Sequence, residues 1–179
     1  MEQNVKLFLE KSAYTVGKAG EETFYENTKC ECGDLGIESP IEQLFYCAIK
    51  TLQRLNFIAD SDPIEFDGKY YLFGLDVNPQ TEINKYRVDF LITNWRTHHG
   101  QHSGKQIVVE CDSQGWHERT EDERRREKTR DRFLIKQGYK VFHFTGKEII
   151  EGPYVAAREV LAYVMGWDDL GLVDMPGDP

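Results

Sequence analysis

The stretch that most constrains the fold of this chain is residues 106–144, QIVVECDSQGWHERTEDERRREKTRDRFLIKQGYKVFHF. It opens with an apolar run, Ile107, Val108 and Val109, that ends in two carboxylates, Glu110 and Asp112. Side chains alternate along a strand, so these two project to the same side, about 6.7 Å apart along the chain. Two anions held together at the end of a buried strand repel each other unless something cationic lies between them. His117 follows within one tight turn, and a helix then begins. Thr120 and Glu123 have the spacing of a capping box, and Glu121 and Asp122 suit the positive end of the helix dipole. Past its first turn the helix is basic: Arg124, Arg125, Arg126, Lys128, Arg130 and Arg132. It closes on Phe133, Leu134 and Ile135, with Gly138 as the stop and a new strand over 139–144. Strand, acidic end, histidine, basic helix, strand is the expected core.

Upstream, Ser39-Pro40-Ile41-Glu42 is a helix start, with an N-cap Ser, Pro at the first helical position and Glu three residues after the Ser. Ile41, Leu44, Phe45, Ala48, Leu52 and Leu55 recur at helical spacing and predict one buried stripe through Asn56. Glu42 has two readings, completion of a capping box with Ser39 or a carboxylate reaching toward a site. From Ile64 to Thr93 the pattern turns to strands, with an aromatic-rich run over 70–75 and a turn at Asn78-Pro79. In YRVDFLIT, alternation puts Tyr86, Val88, Phe90 and Ile92 on one side and Arg87, Asp89, Leu91 and Thr93 on the other. Asp89 is then an edge or solvent-side acid, or paired with Arg87 or Arg96, or brought by antiparallel neighbours to the carboxylates of Glu110 and Asp112. Residues Trp95 to Gly104 read as a polar hairpin loop carrying His98, His99 and His102. After the last core strand, a short helical turn at 146–150 precedes a helix opened by Pro153, with Ala156, Val160, Tyr163 and Val164 on one face and Gly166 as its stop.

A length of 179 residues supports one domain with a sizeable core, and 40% hydrophobic and 30% charged residues are ordinary for a soluble globular protein. No apolar run reaches the length of a membrane span and the first residues lack the core of a signal peptide, so the expected location is cytoplasmic, with no membrane partner. The four cysteines are too sparse for a disulfide scaffold. Cys30 and Cys32 are spaced more tightly than a usual zinc pair; a structural zinc site using them with the His98–His102 tract ranks third among the readings. No nucleotide-hydrolysing motif is present, and no nucleotide cofactor is expected. The net charge of −9 excludes duplex binding by the whole surface. Positive charge is instead concentrated in the basic helix. Some of it is spent on i,i+4 pairs such as Glu121 with Arg125, but the excess beside clustered acids suits a surface that tracks phosphates. Arg119, Arg124 and Lys128, in its first turns, are the expected nucleic-acid contacts.

These residues resemble the PD-(D/E)XK nuclease superfamily, particularly its very-short-patch-repair (Vsr-like) branch. The resemblance lies in Glu110-Cys111-Asp112, in His117, and in Arg130-Asp131 running through Leu134 to Gly138-Tyr139, and it extends from about residue 38 to 150. It implies an α/β fold with a restriction-endonuclease-like core, a mixed central sheet flanked by helices in the order α-β-β-β-α-β-α. The implied domain spans 38–166, between an N-terminal extension over 1–37 and an acidic tail over 167–179. The implied activity is that of a metal-dependent DNA endonuclease hydrolysing phosphodiesters, with Mg²⁺, or Mn²⁺ as substitute, held by Asp89, Glu110, the Cys111 main-chain carbonyl and Asp112. Glu42 matches the acid on the family's first helix. The sequence departs from the superfamily where Asp112 replaces the lysine of Glu-x-Lys, and Ser113 stands where many relatives carry Gly. His117, with an ordinary pKa of about 6.5, becomes the natural proton handler. The alternative is a non-cleaving nucleic-acid-binding module of the same fold, favoured by the missing lysine.

Overall fold

The computed structural model describes residues 31–55, 58, 60, 62–66, 69–98, 101–112 and 120–166. The chain divides into two compact units, Met1–Gly36 and Ile37–Pro179. In the first, residues 31–34 are helical and Gly36 takes a positive φ of 68° just after them. The second carries α1 (Pro40–Leu55), β1 (Asp62–Phe66), β2 (Lys69–Ile83), β3 (Tyr86–His98), β4 (Gln101–Asp112), α2 (Glu121–Lys136), β5 (Lys140–Thr145), α3 (Gly146–Glu151) and α4 (Pro153–Met165). The strands form one mixed sheet in the order β1-β2-β3-β4-β5. The first four run antiparallel and β5 lies parallel to β4. A parallel neighbour needs a crossover, and α2 supplies it. This is the mixed α/β sheet that the resemblance implies, with one more strand before α2, and the short helical turn expected at 146–150 is α3.

Helices cover both faces. On one, α1 lies against α4, and Phe45 packs on Phe90 and Phe144 at ring-centroid distances of 5.2 and 6.1 Å. On the other, Leu134 of α2 is fully buried with Ile83, Val88 and Val108, and Phe133 meets Tyr86 at 5.3 Å. The Thr120 capping box closes α2 at its start, and Gly138, at φ +94°, turns the chain out of it. In α1 the buried stripe differs from the expected one. Leu44 and Leu55 are exposed, while Tyr46, Ile49 and Gln53 are buried, because α4 also covers this helix and shifts its inward face. Gln53 Nε2 donates to the Leu75 carbonyl at 2.9 Å and so ties α1 to β2. In α4, Tyr163 is partly exposed rather than core, with Lys105 Nζ 3.7 Å from its ring centre.

Two expected turns are strand instead. Asn78-Pro79 lies within β2, and the chain reverses at Asn84-Lys85, with Asn84 at φ +55°. Beyond Gly74 the outer side of β2 has no partner strand among the described residues, so a proline without an N–H costs no ladder bond there. The expected polar loop over Trp95–Gly104 is a long hairpin whose strands pair to His98↔Gln101. That extension has a use: Asn94 Nδ2 and Arg96 Nη2 donate to the Val164 and Met165 carbonyls at 3.1 Å, and Lys105 donates to that of Tyr163. Asn94 and Arg96 thereby satisfy carbonyls that the C-terminus of α4 would otherwise leave open, while Lys105 adds to the bond that Tyr163 already accepts from the Gly166 N–H. No helix among the described residues is long and apolar enough to cross a membrane.

Candidate active site

The site lies where β3 stops pairing regularly with its neighbours. The β2–β3 ladder passes from Pro79↔Phe90 to Thr81↔Val88, omitting Gln80 and Asp89, and the β3–β4 ladder begins at Phe90↔Val109. Gln80 has φ +51°. Strict alternation would put Val88 and Phe90 on one face, as the sequence suggests. Instead Val88 packs under α2, and Phe90, two residues on, packs against α1. The strand turns over at Asp89, and its carboxylate is left free to leave the ladder. Asp89 Oδ2 accepts a hydrogen bond from the Cys111 main-chain N–H at 2.7 Å. The acid of β3 is thereby anchored between the two acids that end β4.

Glu42 joins from α1, with hydrogen bonds to Ser39 and to Gln80, the residue across the sheet from Asp89. Its side chain thus bonds Ser39 at the helix start and also feels the charge of Asp89. All four carboxylates reach the Cys111 thiol electrostatically: burial raises its pKa most, and Asp89, Glu42, Glu110 and Asp112 raise it further. Burial also raises Glu42, with the charge of Asp89 adding to it. Asp89 is raised by burial against the Cys111 hydrogen bond that favours its charge.

Glu110 is 3% exposed, and burial pushes its pKa up to about 8 against the opposing pull of the Arg130 guanidinium. Arg130 Nη1 lies 3.2 Å from Glu110 Oε2, while Oε1 is buried with no hydrogen-bond partner among the described residues. Asp112, at the last position of β4, faces His143 of β5, with Nδ1 3.4 Å from Asp112 Oδ2. Glu127 of α2 is 3.9 Å from the same Nδ1, and Asp131 Oδ2 is 3.3 Å from Nε2. The bond to Asp112 is the largest reason the His143 pKa is raised. Asp112, Glu127 and His143 offer ligand atoms within 4.8 Å of one another, a possible metal-binding group.

The structure thus brings together Glu42, Asp89, Glu110, Cys111 and Asp112. His117 and Arg119 lie outside the described residues, as do Ser113, Trp116, Cys30 and His99. Arg124 and Lys128 are exposed and line a shallow groove of about 440 Å³ with Glu121, Arg125 and Arg132. A similar groove is lined by Tyr86, Asp122, Arg125, Arg126 and Thr129. The residues of α2 that turn to the acids are Glu127, Arg130 and Asp131. Neither Glu127 nor His143 stands out in the sequence alone. Their signals are the parallel register that sets His143 beside Glu110, and the i,i+4 spacing of Glu127 and Asp131.

Acids meeting where the ladders of two central strands break off, in a mixed sheet flanked by helices on both faces, define a restriction-endonuclease-like protein. The chain belongs to the REase_MTES_1575 family, a restriction-endonuclease-like family whose model matches residues 72–164, over half of the sequence. No curated protein and no solved structure matches it. The matched region includes Asp89, Glu110, Asp112, all of α2 and His143.

Proposed function

We propose that this protein is a metal-dependent DNA endonuclease of the Vsr-like kind that hydrolyses phosphodiester bonds, with residues 38–166 as its nuclease domain. The observation that carries the reading is the hydrogen bond from the Cys111 N–H to Asp89, which sets a third carboxylate beside Glu110 and Asp112. The donor set fits a hard divalent cation. It is all oxygen and crowded, Glu110 is buried, and one of its oxygens, Oε1, has nothing to bond among the described residues. Asp89, Glu110, the Cys111 main-chain carbonyl and Asp112 would hold Mg²⁺, with Glu42 close behind. When bound, such an ion neutralises charge on the scissile phosphate and makes an attacking water more acidic.

The chain's own residues supply the rest. His117 takes the proton of the attacking water, as a group of near-neutral pKa suits. Arg130 supplies the fixed positive charge beside Glu110 that the superfamily places on a lysine and this sequence does not. Arg119, Arg124 and Lys128 bind backbone phosphates and position the DNA without reading its sequence. A second reading, a DNA-binding module that no longer cuts, draws support from the same Glu110–Arg130 ion pair, which already satisfies part of the acid cluster. Supercoiled plasmid incubated with Mg²⁺ or Mn²⁺ separates the two. The nuclease nicks it and Glu110→Ala slows nicking by at least about 100-fold, since the cation that Glu110 would hold stabilises negative charge that develops only in the reaction. Equal activity of both proteins removes Glu110 from the site. Binding by gel shift without any metal-dependent nicking selects the second reading.

A further inference from the structure

We propose a second divalent-cation site, sharing only Asp112 with the nuclease site and suited to a transition metal rather than Mg²⁺, formed by Asp112, Glu127 and His143 Nδ1. Donor atoms that share one ion at bonds of about 2.1 Å stand about 3–4 Å apart. His143 Nδ1 lies 3.4 Å from Asp112 Oδ2 and 3.9 Å from Glu127 Oε1. The three donors come from the end of β4, the middle of α2 and the centre of β5, so an ion there ties the basic helix to the sheet.

Behind the imidazole, Asp131 Oδ2 lies 3.3 Å from Nε2 without a hydrogen bond between them, so this carboxylate acts on the ring through its charge. One further observation points to a ligand. Glu110 pairs directly with His143 across the β4–β5 ladder, so both project to the α2 side of the sheet. Its Oε1 is buried there without a partner among the described residues. An imidazole donor selects Mn²⁺, Co²⁺ or Zn²⁺ over Mg²⁺, which takes oxygen ligands. The competing arrangement is an imidazolium that serves as the protein's own counter-ion for Asp112, Glu127 and Asp131 and leaves no place for a metal.

This inference does not require cleavage, and its test uses the full chain with Mn²⁺ alone, without DNA. Pulsed electron paramagnetic resonance of bound Mn²⁺ should show coupling to an imidazole ¹⁴N. The coupling should persist under tenfold excess Mg²⁺ and in Asp89→Asn and His117→Gln, and should vanish in His143→Gln. Mn²⁺ affinity at this site should fall at least about tenfold in Glu127→Gln, a change on the face of α2 that leaves its core packing intact. A wild-type protein whose bound Mn²⁺ shows no ¹⁴N coupling overturns the assignment. So does coupling that survives His143→Gln, or affinity unchanged in Glu127→Gln. A protein that nicks no plasmid yet shows the His143 signal rejects the nuclease reading and keeps this one; the reverse pattern rejects this one alone.

Discussion

Glu110 is where the demands on this protein conflict, because a carboxylate placed for a cation is 3% exposed and has half of its bonding capacity met by Arg130. Its pKa, pushed up to about 8, means that the folded chain keeps a proton the unfolded chain has already released. Between the ordinary carboxylate value and about pH 8, the unfolded state therefore binds fewer protons, and metal-free stability must fall as pH rises. His143 acts in the same direction. Its pKa is raised by Asp112, so its contribution is complete below its ordinary value and disappears as pH climbs through the folded one. Urea titrations in chelator, stepped from pH 5 to 8, should show a loss on the order of a few kcal/mol, and Glu110→Gln should remove most of the slope. A midpoint independent of pH would contradict the burial argument. Divalent metal should reverse the trend, since metal ligands must be deprotonated to bind.

At the scale of elements, α2 has two unlike attachments. Its apolar hold is concentrated at Leu134, fully buried against Ile83, Val88 and Val108, while most of its remaining length is exposed and charged. Leu134→Ala should cost about 2–5 kcal/mol by chemical denaturation, as large-to-small core changes do. Thr120→Ala, which removes both hydrogen bonds between the Thr120 hydroxyl and Glu123, should cost about 1 kcal/mol. Equal costs would mean that local helix chemistry, rather than the core, holds the element in place.

The legible parts of the fold share one property: they are written locally. The Thr120–Glu123 box, the Ser39-Pro40 start, and Gly138 and Gly166 as stops all act within one turn of chain, and the structure has them where the sequence puts them. What is not legible is set by partners distant in sequence. Pro79 reads as a turn but sits on an open sheet edge. Residues 95–98 read as loop but extend β3 toward the end of α4. Leu44 and Leu55 read as core until the path of α4 decides which face of α1 is covered. In the site, the acids of β4 follow from alternation, whereas Asp89 arrives through a break in it. The His143 group needs a register between parallel strands that a single sequence does not carry.

On the whole molecule, a net charge of −9 and an exposed basic helix oppose each other, so attraction to DNA must be local and short in range. Replacing Arg124 and Lys128 by glutamine should weaken binding of every DNA sequence alike and reduce the salt slope by about 2, one for each phosphate that is no longer neutralised. An unchanged slope would move the DNA path off this face of α2. The central claim, that Asp89, Glu110 and their neighbours hold a catalytic cation, is tested most directly by anomalous scattering from a crystal soaked in Mn²⁺. A peak is expected about 2.1 Å from oxygens of both Asp89 and Glu110, with Arg130 drawn back from the carboxylate. A map with no peak there, and Glu110 still bound to Arg130, would contradict it.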